Sequence, residues 1–166
     1  MSKTRILNLM IAAAAIVWLY FSLGGGEEER IRRRLAEIEE LVEKSAGEGS
    51  LDGVGRARSF AALFAEPFAA EVGPAGQTIG DRQQLMQAFV GFRHASETVT
   101  LDYRGIEIAL APGGKEAVVK LEALLNGGPA GFLAEEGYPV ELLFRKVDGD
   151  WLVARAQVSG GVRRGG

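Results

Sequence analysis

Leu142–Val158 reads LLFRKVDGDWLVARAQV. Two β-like runs flank Asp148-Gly149. Asp-Gly in that setting signals a two-residue type I′ hairpin turn, because both central positions of such a turn need positive φ. The turn would pair Val147 with Asp150 and, moving outward, Phe144 with Val153, Leu142 with Arg155 and Val140 with Gln157. Trp151, Val153, Arg155 and Gln157 then share a face with Leu142 and Phe144. The opposite face carries Leu143, Arg145, Leu152 and Ala154. Both faces mix apolar and polar residues, as expected for a sheet covered on both sides. An arginine on a mostly apolar face needs a partner or a ligand, so Trp151, Arg155 and Gln157 are candidate pocket residues. A three-residue loop would instead pair Leu142 with Ala156 and leave Arg155 exposed. The two-residue turn is the favoured reading.

Upstream, Glu97–Leu110 (ETVTLDYRGIEIAL) alternates with period two, but its phase slips. Val99, Leu101 and Tyr103 are followed by Ile106, Ile108 and Leu110. A one-residue slip flips every side chain to the other face, so a β-bulge at Gly105 is predicted, bending the strand. Bulges re-aim side chains beside sites, which adds Tyr103 to the pocket candidates. The plainer reading is a core tyrosine between an exposed Asp102 and Arg104. A turn at Ala111–Gly114, a strand at Lys115–Leu125 and a Gly-rich insert at Asn126–Gly137 complete the link to the hairpin.

Ahead of these strands the period is helical. In Glu27–Lys44, Ile31, Leu35, Ile38 and Val42 recur on one stripe beside Leu41. This stretch offers about two heptads where a zipper needs three or four, so it reads as an amphipathic helix lying on a sheet. Gly47–Gly55 reads as a loop and Arg56–Phe64 as a short helix, interrupted near Pro67. Phe68–Val72 reads as a short strand and Gly73–Gly80 as a turn-rich loop. Asp81 is an N-cap, since its carboxylate can accept first-turn N–H groups. The helix it opens buries Leu85, Met86, Phe89, Val90 and Phe92.

The chemistry available is narrow. The chain has no cysteine and one histidine, which excludes a disulfide framework and a thiolate metal site, and leaves no basis for a histidine-based metal site or triad. His94 follows a helix, where an imidazolium complements the dipole. Asp148-Gly149-Asp150 lacks the further ligands of a calcium loop. The Gly-Gly pairs lack the lysine and helix of a phosphate loop. No catalytic residue, metal site or cofactor is assigned. The net charge is −3, and residues 27–161 alone sum to −7. That balance argues against nucleic acid as a partner and against adhesion to an anionic lipid surface.

Ile6–Leu23 (ILNLMIAAAAIVWLYFSL) holds 18 residues and no charge. As a helix it would span roughly 27 Å, close to the ~30 Å hydrocarbon core. Trp18 and Tyr20 lie near one end, where interfacial aromatics belong. Lys3 and Arg5 precede the run and Glu27, Glu28 and Glu29 follow it, so the N-terminus is placed in the cytoplasm and the rest outside, in a bacterial periplasm. The organisation expected is residues 1–5 cytoplasmic, 6–23 a single membrane helix bounded by Ile6 and Leu23, 24–26 a glycine linker, 27–158 the folded domain and 159–166 a flexible tail. A cleaved signal peptide is the rival reading, but the run exceeds the usual apolar core of one.

Helix, short helix, short strand, helix and four long strands, the first of them bent, resemble the nuclear transport factor two-like superfamily, also called the SnoaL-like or cystatin-like cone. FAALFAEPFAAEV, GDRQQLMQAF and the closing ELLFRKVDGDWLVARAQV carry the resemblance. It implies an α+β domain over about Glu27–Val158, with about three helices packed on a bent antiparallel sheet around a conical cavity. It says little about activity, because the fold hosts isomerases, cyclases, hydrolases and many non-enzymes. The carboxylate or histidine base of the family's enzymes cannot be carried over to any residue here. A short start, one membrane helix and then a cone is also similar to the layout of inner-membrane assembly subunits of type IV secretion systems, although this chain is shorter. The function expected is that of a membrane-anchored, non-catalytic binding or assembly module, with a protein partner or a second copy on the open sheet face. The alternative is a small-molecule-binding protein or SnoaL-like enzyme holding a small apolar ligand in the cone.

Overall fold

The computed structural model describes residues 26–72, 77–128 and 137–159. The apolar run with Ile6, Trp18, Tyr20 and Leu23 lies outside them, as do residues 1–5 and most of the terminal tail. Among the described residues no helix is long and apolar enough to cross a membrane.

The chain forms α1 (Glu27–Val42), α2 (Ser50–Ala62), β1 (Phe64–Val72), β2 (Gln77–Ile79), α3 (Arg82–His94), β3 (Val99–Leu110), β4 (Glu116–Gly127), β5 (Gly137–Val147) and β6 (Asp150–Val158). One sheet runs β2-β1-β6-β5-β4-β3. The sheet is mixed rather than antiparallel throughout, because β1 runs parallel to β6. No hairpin joins those two strands, so nothing local dictates their direction.

The helices pack on one face of the sheet. Ile31, Leu35 and Ile38 of α1 join Ala117, Val119 and Leu121 of β4, Leu142 and Phe144 of β5, and Trp151 and Val153 of β6 in one core. Phe60 stacks on Phe89 of α3 at 4.5 Å and tilts against Phe64 at 5.3 Å, tying α2, α3 and β1 together. Asp81 caps α3 as its sequence predicts, accepting from the Gln84 N–H at 2.9 Å. The bulge in β3 is also present. Gly105 has φ +59, and the register with β4 shifts between Arg104 and Glu107. Tyr103, Ile106 and Ile108 therefore all pack against the core despite their change of parity.

Several boundaries differ from the sequence reading. α2 begins at Ser50, inside the stretch read as a loop. Buried Ala57 and Ala61 and half-buried Phe60 hold it down, and this packing outweighs the helix-weakening effect of Gly53 and Gly55. β1 begins at Phe64 and runs through Pro67. Its pairing with β6 breaks between Phe64 and Ala69, where a proline without an N–H is tolerated. Gln77–Ile79 is a short antiparallel strand on β1 rather than loop.

The hairpin carries the main correction. Asp148 (φ 49) and Gly149 (φ 87) form the two-residue turn, and Phe144 pairs with Val153 as predicted. The register then shifts by one, so Leu143 pairs with Arg155 and Leu142 with Ala156. Ala154 is the extra residue, a bulge on β6. It lies where the Val153 N–H turns to the Leu63 carbonyl at the entry to β1. The sequence reading offered the two-residue turn and the Leu142–Ala156 pairing as alternatives, whereas the bulge lets both hold.

Candidate functional site

The Ala154 bulge decides where the candidate residues point. Before it, Trp151 and Val153 face the helices and are buried. Beyond it, Ala156 takes the core side, and Arg155 and Gln157 pass to the outer face. Arg155 is exposed and lies 4.0 Å from Glu141. The Gln157 amide donates to Glu71 at 3.3 Å. Tyr103 and Trp151 stay on the helix side, so the structure does not bring the four together.

Tyr103 lies half-buried under the C-terminal half of α1. Burial pushes its phenol above the ordinary range, and the charge of Glu39 adds to the shift. Glu39 itself is raised, first by burial and then by the charges of Glu43 and Asp102. A phenol held neutral beside a carboxyl of raised pKa is the polar feature of this side of the sheet. Glu39 is not singled out by sequence pattern. Its one signal is its place at the border of the α1 stripe, between Ile38 and Val42.

Trp151 sits at the other end of the sheet and fixes the start of α1. Its indole N–H donates to Glu27 at 2.6 Å, and the Lys146 ammonium donates to the same carboxylate at 2.6 Å. These two bonds, Lys146 first, hold the Glu27 carboxyl below its usual range. Arg30 donates to the Gly149 carbonyl in the hairpin turn at 2.6 Å. Two open grooves lie at this end. One of about 270 Å³ is lined by Arg30, Arg33, Arg34, Glu37, Asp150 and Trp151. The other, of about 370 Å³, is lined by Ala111, Pro112, Lys115, Glu116, Arg145 and Lys146.

At the far end, Arg93 is buried in the last turn of α3, and His94 beside it is exposed. The Arg93 guanidinium donates to the carbonyls of Leu41, Val42 and Glu43 and pairs with Glu48 at 2.9 Å. Burial alone would raise Glu48, but the charge of Arg93, a bond from the Ser45 N–H and the charge of Arg56 together hold it below its usual range. A sequence signal for Arg93 exists, since it follows Leu85 and Phe89 at spacing four on the buried stripe. The role is structural. Among the described residues no group of three or more His, Asp or Glu side chains could hold a metal ion.

The outer face of β3–β6 alternates charged residues with Val118, Leu124, Leu143 and Leu152, which are half-buried and stand outside the core. Ion pairs cross it, including Lys120–Glu141 at 3.9 Å and Arg145–Glu116 at 3.3 Å.

No protein-family model matches the chain, and no curated protein matches it. Solved structures do match in fold. A protein of unknown function from Mycobacterium tuberculosis has a TM-score of 0.65 at 17% identity, over 82% of this chain and 72% of that one. A cystatin-like-fold protein of unknown function from Nostoc punctiforme has a TM-score of 0.61 at 16% identity, over 82% and 92%. A protein from Streptomyces avermitilis, provisionally described as a dehydratase of the nuclear transport factor two-like family, has a TM-score of 0.63 at 13% identity, over 81% and 95%. The domain thus has the cystatin-like, nuclear transport factor two-like fold. At these identities the likeness concerns the fold alone.

Proposed function

We propose that the chain is a membrane-tethered binding or assembly module of the nuclear transport factor two-like fold, carried outside the cytoplasm and acting on a protein partner without catalysis. The observation that carries this reading is the join between anchor and domain. An uncharged apolar run of 18 residues ends at Leu23, and Glu27, just beyond the glycines, is bonded to Lys146 and Trp151. A helix fixed to the domain at its first residue places the domain directly after the glycine linker, close to the end of the apolar run. The outer sheet face, with half-buried leucines between ion pairs, is the surface offered to a partner or a second copy. The test is extraction from native membranes. The protein should resist alkaline carbonate, dissolve in detergent, and crosslink at fixed stoichiometry to itself or to one partner through β4–β6. A carbonate-soluble or strictly monomeric protein would sink the reading.

The alternative is a small-molecule site in the cone, favoured by the Tyr103–Glu39 pair and by similarity to a protein provisionally described as a dehydratase. A thermal-shift screen of small apolar ligands with a hydrogen-bonding group checks it. A stabilising ligand whose effect disappears in Tyr103→Phe supports the alternative, and a screen without such a ligand counts against it.

A further inference from the structure

We infer that the hairpin end of the domain, formed by the β5–β6 turn and the β3–β4 turn, is the surface that rests on the phospholipid headgroups. The inference builds on the membrane helix proposed above and adds which side of the domain meets the bilayer. Four Cα steps separate Leu23 from Glu27. A fully extended chain covers at most about 14 Å over that length, so the first residue of α1 stays close to the end of the apolar run. Glu27 is not free to swing away from the domain. Its carboxylate is held at 2.6 Å by both Lys146 and Trp151, and Arg30 holds the Gly149 carbonyl at 2.6 Å. The Lys146 N–H donates to the Lys115 carbonyl at 2.8 Å, which brings the β3–β4 turn to the same end.

The opposite end is fixed as firmly. Lys44 and Val99 bond to each other through their backbones beyond the C-terminus of α1, and Gly127 pairs with Val99. The twelve residues of β4 run from Glu116 to Gly127, eleven steps or roughly 36 Å at about 3.3 Å per residue before twist. One end of the domain therefore lies within about 14 Å of the end of the apolar run, and the other is the end farthest from it.

The chemistry of the near end suits headgroups. The two grooves there place Arg30, Arg33, Arg34, Lys115, Arg145 and Lys146 beside Glu27, Glu37, Glu116 and Asp150. Guanidinium groups fit phosphate oxygens, and carboxylates fit the ammonium of a zwitterionic lipid. A surface mixed in this way matches a zwitterionic headgroup layer and needs no anionic lipid, in keeping with the acidic balance of the domain. The tether supplies the affinity and the grooves set the orientation.

The chain has no native cysteine, so one introduced cysteine takes one label. The full-length chain is reconstituted in vesicles of a zwitterionic phospholipid containing a headgroup-attached nitroxide. It carries a bimane label on Pro112→Cys or Lys115→Cys at the near end, or on Ala46→Cys or Asn126→Cys at the far end. All four positions are exposed, and far-UV circular dichroism confirms folding. Both near labels should be quenched several-fold more than both far ones. Equal quenching at the two ends, or stronger quenching at Ala46 and Asn126, in chains that float with the vesicles overturns the orientation and leaves the anchor standing. Chains that do not float overturn the anchor, and the orientation with it.

Discussion

Arg93 and Lys44 cap each other's helices. Arg93, in the last turn of α3, donates to the final carbonyls of α1, and the Lys44 ammonium, just past α1, donates to the carbonyls of Arg93 at 2.8 Å and Ser96 at 2.6 Å. The last carbonyls of a helix lack intrahelical partners, and a cation there also complements the dipole. Each helix thereby holds the other in place. Arg93 is 4% exposed, so its removal strips the α1 carbonyls of their donor and leaves the Glu48 carboxylate with only Arg56 and the Ser45 N–H. Arg93→Met should cost about 3 kcal/mol, and the more accessible Lys44→Met about 1 kcal/mol, read as urea midpoints in detergent. An Arg93 variant within ~0.5 kcal/mol of wild type would refute the capping role.

Glu27 links α1 to the hairpin, and its pKa is lowered. A carboxyl whose folded pKa lies below the unfolded one stabilises the fold above the unfolded pKa. That contribution is lost as pH falls through the folded value. Acid should therefore loosen the start of α1 before the core melts. Tryptophan emission of a Trp18→Phe chain reports Trp151 alone, and it should shift on acidification below about pH 4.5. Glu27→Ala should show the shifted emission already at neutral pH. An unchanged emission in that variant would show that the contact does not hold the helix.

Trp151 and Arg155 make opposite demands on the core. Trp151 is 2% exposed and lies in the central cluster, so Trp151→Ala should cost about 3–5 kcal/mol. Arg155→Ala removes an exposed side chain with one long ion pair, a change of about 0.5 kcal/mol at most. Deleting Ala154 removes the bulge but leaves Val153 opposite Phe144 and Arg155 opposite Leu143, so Arg155 stays on the outer face. The deletion should cost more than Arg155→Ala only through the junction with β1, where the Val153 N–H meets the Leu63 carbonyl, and comparison of their thermal midpoints checks it.

What the sequence conveyed and withheld follows from the range of each interaction. The Asp-Gly turn, the Asp81 cap and the Gly105 bulge are local, and each is visible in a few adjacent residues. The Ala154 bulge arises where β6 meets β1, about ninety residues away in the chain, and no period within Trp151–Val158 reveals it. One residue of register moved Arg155 and Gln157 from the predicted inner face to the outer one. The start of α2 differs for a similar reason: Gly53 and Gly55 argue locally for a loop, and the packing of the helix through Ala57, Phe60 and Ala61 extends it back to Ser50. Tyr103 was visible as a candidate because its strand slips phase. Glu39 was not, since its raised pKa comes first from burial and then from the charges of Glu43, just past α1, and Asp102 on β3.

Glu39 gives a prediction of opposite sign to Glu27. A raised folded pKa means that the contribution is present below the unfolded pKa, near 4.5, and is lost as pH rises through the folded value. At neutral pH the ionised group therefore weighs against the fold. Glu39→Gln, which mimics the protonated form, should raise the urea midpoint at pH 7 and leave it nearly unchanged at pH 4. Destabilisation at pH 7 would show that the carboxylate is held by a partner.

The proposed placement outside the cytoplasm meets its hardest test in topology. Lys3 and Arg5 before the apolar run favour an N-terminus inside. The rule counts lysine and arginine near the ends of a membrane helix and gives acidic residues little weight, so Glu27, Glu28 and Glu29 add little. Arg30, Arg32, Arg33 and Arg34, all within eleven residues of Leu23, count the other way. Arg30 and Arg34 are bonded into the folded domain through Gly149 and Asp150, and export of the domain requires that translocation carry all four across. Fusion of a phosphatase that is active only outside the cytoplasm after Ser159 should give activity, and a fluorescent protein that matures only inside should stay dark there. Lys3→Glu with Arg5→Glu should then abolish or invert the signal. A dark phosphatase and a bright fluorescent fusion in the wild type would place the domain in the cytoplasm and overturn the exported reading, while leaving the single membrane helix intact.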